Sequence, residues 1–301
     1  MPPPLERPWP AQQAVVPRLA PPPRHVPITV AVRALLGGLG VFAWIWFGFG
    51  SSIATVFLGK ADLGSWATFR GELVTAEGVA TGCAATGSSE GGSKGRSGTP
   101  IYENRYRFGD HEGVSYATGT CLAAGTPVEV QHLPARPDVS RIAGMRRAEF
   151  GPGIAFVLVF PIVGLLLVGF SLRTGVRQLR LLRNGKVALG TLVGKEATNT
   201  SVNKRRVMKL RFAIETDRGE RREVVVRTHL PEQLEDEPRE RILCDPRRPD
   251  RAAAWDLLSG APRVDGTGAL EPTGLLGTLL VLLPPALAVA AHALALGLVG
   301  R

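Results

Sequence analysis

The residue types that carry chemistry are sparse and scattered along this chain of 301 residues. Its cysteines are Cys83, Cys121 and Cys244, and none stands in the Cys-x-x-Cys pair that zinc binding or thiol exchange uses. No H-E-x-x-H or G-x-S-x-G motif occurs. Gly190, Gly194 and Lys195 approach a phosphate loop, but one residue is missing between the glycines. Glu196 stands where a Ser or Thr would bind Mg²⁺, so the segment reads as strand. The Gly/Ser-rich stretch 86–98 precedes no helix and reads as a flexible connector rather than a phosphate cradle. Carboxylates crowd into one run, Glu232, Glu235, Asp236, Glu237 and Glu240, among Pro231, Pro238, Arg239 and Arg241. A catalytic pair needs a partly buried member with a displaced pKa, and this run reads as an exposed loop or short helix. Of the histidines, His292 alone lies deep in an apolar stretch, where an ionisable group is a functional candidate. No acid accompanies it, so helix–helix hydrogen bonding or a place near the headgroups is expected. No catalytic, cofactor or metal site is expected.

The elements around these residues are of two kinds. Hydrophobic residues make up 45% of the chain, yet the mean hydropathy is only +0.09 because they are segregated. Stretches 34–59, 150–172 and 272–300 contain no Asp, Glu, Lys or Arg. At about 1.5 Å per helical residue each exceeds the roughly 30 Å of a hydrocarbon core. A soluble globular enzyme is excluded on this ground. The first stretch is read as a span and not as a cleaved signal, because its apolar run is too long and no small-x-small site precedes a clear mature start.

The expected order is a Pro-rich disordered tail at 1–27, a transmembrane helix at 28–59 and a β domain at 60–149. A second transmembrane helix at 150–172, an amphipathic juxtamembrane helix at 173–186 and a second β domain at 187–258 follow. A linker at 259–271 and a third transmembrane helix at 272–300 complete it. The fold class is thus three transmembrane helices alternating with two small antiparallel β barrels or sandwiches.

The charge fits a membrane. Lys and Arg outnumber Asp and Glu by 36 to 26. Arg173, Arg177, Arg180 and Arg183 recur on one helical face directly after the second span. They are expected to rest on lipid phosphates, and nucleic acid is not expected as a partner. The Lys/Arg excess in 1–33 and 173–271 over 60–149 puts the N-terminus in the cytoplasm by the positive-inside rule. Residues 60–149 then lie outside, where Cys83 and Cys121 are candidates for a disulfide between neighbouring strands, closing a loop of 38 residues.

The two β pieces share an order: apolar strand, polar break, aromatic-bearing strand, Asp/Gly turn, strand, and a closing strand with prolines at Pro134/Pro137 and Pro246/Pro249. The second carries Arg183-Asn184-Gly185, Ala188, Gly190, Val193, Phe212, Gly219, Leu243, Asp245, Pro246 and Pro249. This pattern is similar to the bacterial domain-of-unknown-function family numbered 3592, over 183–257 and more loosely over 71–145. The resemblance implies a β domain in a multi-pass protein of the bacterial cytoplasmic membrane and brings no catalytic residues. The function expected is non-catalytic, with β modules at the bilayer surfaces for partner binding, sensing or envelope assembly. The protein partner is unknown. The alternatives are a small transporter or channel subunit using His292, for which Ser51, Ser52 and Thr55 are the other polar groups in the spans, or an enzyme whose cleft the sequence does not reveal. A dry interface of small residues, Ala286/Ala290 and Ala291/Ala295, would favour the structural function.

Overall fold

The computed structural model describes residues 19–93, 97–215, 219–246 and 248–299. They fall into two compact units. The first comprises Met1–Trp46 with Gly164–Ala290, the second Phe47–Val163 with Ala291–Arg301.

The helices are α1 (Ile28–Leu36), α2 (Leu39–Gly59), the single turn α3 (Ser65–Thr68), α4 (Val159–Asn184) and α5 (Leu275–Val299). Three of them, α2, α4 with the 3-10 turn Pro152–Leu158 that leads into it, and α5, are long and apolar enough to cross a membrane. The run 28–59 is not one helix as expected. It breaks at Gly37-Gly38, where Gly38 takes φ +56, a conformation that suits glycine. The 21 residues of α2 still reach roughly 32 Å. The expected juxtamembrane helix 173–186 is no separate element, because α4 runs unbroken through its 26 residues to Asn184.

Small residues mark the faces these helices bury. On α4, Gly164, Val168, Ser171, Gly175, Gln178 and Leu182 are buried at alternating spacings of four and three, one stripe of a 3.6-residue period. In the first unit, a Cβ on Gly175 would lie 2.5 Å from Ala34 O, so only glycine lets α1 and α4 approach this closely. In the second, Gly50 of α2 lies against Phe160. Of the alanines named from the sequence, the three whose side chains are described do not form an interface. Ala286, Ala290 and Ala291 are exposed, while Ala288 is the buried one; the side chain of Ala295 is outside the described set.

The second unit carries strands β1 (Val74–Glu90), β2 (Thr99–Phe108), β3 (His111–Thr118), β4 (Pro127–Leu133) and β5 (Arg136–Ile142) in one antiparallel sheet of order β3-β2-β1-β4-β5. Tyr116 of β3 and Arg146 beyond β5 exchange backbone hydrogen bonds of 2.7 and 3.0 Å, which nearly closes the sheet into a barrel. Tyr106, Phe108, Val130 and Ile142 form its core. Below it, Phe150 N–H donates to Lys60 O at 3.0 Å and Lys60 pairs with buried Glu149 at 3.0 Å, tying the end of α2 to the approach to α4.

The first unit carries β6 (Lys186–Val202), β7 (Arg205–Glu215), β8 (Arg221–Thr228), β9 (Glu240–Asp245) and β10 (Arg248–Ala254). Their order, β10-β9-β6-β7-β8, reads from the other end as that of the first sheet. Leu210, Phe212, Ile214, Val224, Val226 and Ile242 alternate into its core. Both long first strands carry a glycine where a Cβ would collide. Gly78 sits 2.9 Å by that measure from Val130 Cγ2, and Gly190 2.9 Å from Ile242 Cγ1. The expected polar breaks are strand in part, β1 running on to Glu90 in the first and β6 to Val202 in the second. Glu90 still pairs with Thr99, and after Val202 Asn203 and Lys204 turn the chain with φ 51 and 63.

Two further segments differ from expectation. The expected tail 1–27 lies outside the described residues up to 18, but from Leu19 onward it is packed. Leu19 and Val26 join a core of Val30, Leu182, Leu243, Trp255, Leu258 and Leu270. The 259–271 segment is likewise no free linker. Asp265 holds its turn by accepting from Thr267 N–H and Ala269 N–H, and Leu270 is buried in the same core.

Candidate functional site

The site grows from the way α4 ends. Its buried stripe faces inward, and at 100° per residue Arg173, Arg177 and Arg180 fall about half a turn away; these three and Arg183 are all exposed. The helix terminus leaves carbonyls without intrahelical partners. Arg24, only 7% exposed, supplies them. Its Nη1 donates to Leu182 O at 3.0 Å and its Nη2 to Gly185 O at 2.6 Å, and its backbone N–H donates to Arg183 O at 2.8 Å. Burial lowers the Arg24 pKa, but a guanidinium stays charged across physiological pH. A fixed cation thus sits at the negative end of the α4 dipole.

Beside that cap opens a cleft of about 820 Å³, walled by Pro22 and Pro23 on one side and by α4 and the β9–β10 connection on others. Arg177, Arg180 and Asn184 enter it from the helix, Asp245 and Arg251 from the sheet. Among the described residues, no hydrogen bond or ion pair engages the guanidinium groups of Arg177, Arg180 or Arg251. The cleft therefore gathers two of the four arginines expected to meet lipid phosphates. Arg173 and Arg183 are exposed but do not line it. The sequence assigns no role to Arg251, Asn184 or Arg24, and no local pattern marks Arg24, whose partners at the end of α4 lie more than 150 residues along the chain.

Cys83 and Cys121 are bonded in the structure with Cα atoms 5.5 Å apart. They do not lie on neighbouring strands. Cys83 in β1 faces Asn104 of β2, and Cys121 is in the loop after β3. Asn104 is fully buried and pins that loop, accepting from Leu122 N–H at 2.8 Å and donating to Thr120 O at 3.0 Å. Cys244 is free and buried, and desolvation pushes its thiol up to about 11. A second buried polar set lies in the core of the same sheet as the bridge. Tyr106 and Ser140 share a hydrogen bond of 2.9 Å, and Ser115 accepts from Ile142 N–H at 2.9 Å.

The carboxylate run is not wholly exposed. Glu240, at its end, is 2% exposed and its Oε1 has no hydrogen-bond partner among the described residues. Burial, reinforced by the negative charges of Asp236, Asp256 and Glu237, raises its pKa to about 7. The signal was legible, because Glu240 shares the inward face of β9 with Ile242 and Cys244. Among the described residues no group of three or more His, Cys, Asp or Glu side chains could hold a metal. His292 stacks on Phe47 with ring centroids 5.5 Å apart.

No protein-family model matches the chain, and no curated protein or solved structure does.

Proposed function

We propose that the chain is a multi-pass membrane protein without catalytic activity. It presents two small β domains at the bilayer surfaces for partner binding, sensing or envelope assembly. The observation that carries this is the outer surface of the three long helices. Phe49, Leu166, Leu276, Leu279 and Val289 are each more than 60% exposed, a density of apolar side chains that water does not tolerate and lipid does.

The identical strand order of the two sheets supports reading them as copies of one domain, and hence the resemblance to family 3592. Asn104, Ser115, Ser140 and Glu240 are buried within the β domains, which suits a role in holding loops and strands more than one in meeting substrate. His292 meets an aromatic ring, which suits packing between helices more than ion passage.

The test is retention in membranes after alkaline carbonate washing, combined with reporter fusions at Ser93 and Asn203, both at connections between strands. The chain should stay in the membrane, with the reporters reading outside and inside respectively, in the bacterial cytoplasmic membrane. Release by carbonate, or a reversed pair of reporters, would refute the proposal.

A further inference from the structure

We infer that the arginine cleft at the end of α4 binds the phosphate of an anionic lipid headgroup. This rests on the proposal that α4 crosses a membrane. Two separate segments supply the cations, Arg177 and Arg180 from the helix and Arg251 from β10. A stripe on one helix face would touch any anionic surface; convergence from helix and strand makes a defined site. Guanidinium forks match phosphate oxygens bidentately, and these three have no competing partner among the described residues.

The end of a helix ordinarily repels anions, because its carbonyls carry partial negative charge. Here Arg24 covers the carbonyls of Leu182 and Gly185 from inside, so the terminus that borders the cleft is neutralised. Position then chooses the source of the phosphate. Phe170 is 61% exposed, the last of the strongly exposed apolar residues of α4. Arg177 follows it by seven positions, about 10 Å along the axis, a step from the hydrocarbon edge into the headgroup layer. The 820 Å³ of the cleft far exceeds a bare phosphate ion and leaves room for the polar remainder of a headgroup, with the Asn184 amide at its wall.

The experiment uses the full chain in detergent, with short-chain phosphatidylglycerol, short-chain phosphatidylcholine and inorganic phosphate as probes, and calorimetry as readout. The wild type should prefer phosphatidylglycerol over phosphatidylcholine by at least about tenfold. R251Q should lose about tenfold in that affinity, the scale of one charge-assisted contact. R177Q, on an exposed helix face, gives the same test should the strand variant not fold. R173Q, outside the cleft on the same helix, should bind as the wild type does. Equal losses in R173Q and R251Q would overturn the cleft in favour of a diffuse stripe. Inorganic phosphate binding as tightly as phosphatidylglycerol would overturn the lipid as its source. Release of the chain by carbonate, with lipid selectivity intact in detergent, would refute the membrane reading alone.

Discussion

Replacing Glu240 by Gln should stabilise the protein by an amount that grows as the pH rises above about 4.5 and is complete above neutral pH. The carboxyl is nearly inaccessible, one of its oxygens is unsatisfied, and Asp236, Glu237 and Asp256 add negative potential around it. Its pKa is raised from 4.5 to about 7, so the folded state holds its proton more tightly than the unfolded state does. Well below pH 4.5 both states are protonated and Glu240 adds no ionisation penalty. Between there and pH 7 the unfolded chain ionises first, and stability falls as pH rises. Above pH 7 the full penalty applies, about 3 kcal/mol at about 1.4 kcal/mol per pH unit. Glutamine keeps the shape and cannot ionise, so E240Q should recover that amount at pH 8. For a body of this size this is a rise in Tm of roughly 6–12 °C. At pH 4.5 the two proteins should melt within about 2 °C of each other, since the residual difference is under about 0.5 kcal/mol. Thermal unfolding of the chain in detergent, followed by tryptophan emission, reads this directly, because Trp255 is buried in the same unit. A melting shift that is the same at both pH values would refute the reasoning, as would no shift at pH 8.

Removing the bridge with the C83S/C121S pair should cost about 4 kcal/mol for a closed loop of 38 residues. Limited proteolysis should then cut first in the loop that Asn104 pins; unchanged protease resistance would contradict the estimate. Replacing Arg24 by Met should uncap α4 and leave the carbonyls of Leu182 and Gly185 unsatisfied. The expected loss is roughly 2–4 kcal/mol, measured by denaturant titration in detergent, and a variant as stable as the wild type would show that water serves those carbonyls equally well.

Much of the fold was legible because its signals are long or repeated. Uncharged apolar stretches announced α2, α4 and α5, and the recurring strand–turn order announced two β pieces. What escaped depends on single residues or on distance. Gly37-Gly38 breaks a run that is mostly apolar and uncharged after Arg33, and glycine is common in spanning helices. The polar ends of β1 and β6 carry a loop-like composition, because hairpin arms projecting into water are polar on both faces. Arg177 and Arg180 were visible as a stripe, but their joining by Arg251 is a tertiary event. Arg24 lay in a proline-rich stretch read as tail. Glu240 is masked in composition by its exposed neighbours, and only its place on the inward face of β9 sets it apart.

The split composition of the first unit has a consequence for synthesis. Arg24 finds its carbonyls 158 and 161 residues later, and Thr29 accepts its hydrogen bond from Thr273 N–H, 244 residues later. At about 5–20 residues per second, a ribosome makes that last partner about 12–50 s after the first. The sheet of β1–β5 is continuous in sequence and can close within that interval. The segment before α2 emerges first and completes its contacts last, and a nascent chain halted before residue 273 would leave Thr29 without the hydrogen bond that Thr273 N–H gives it.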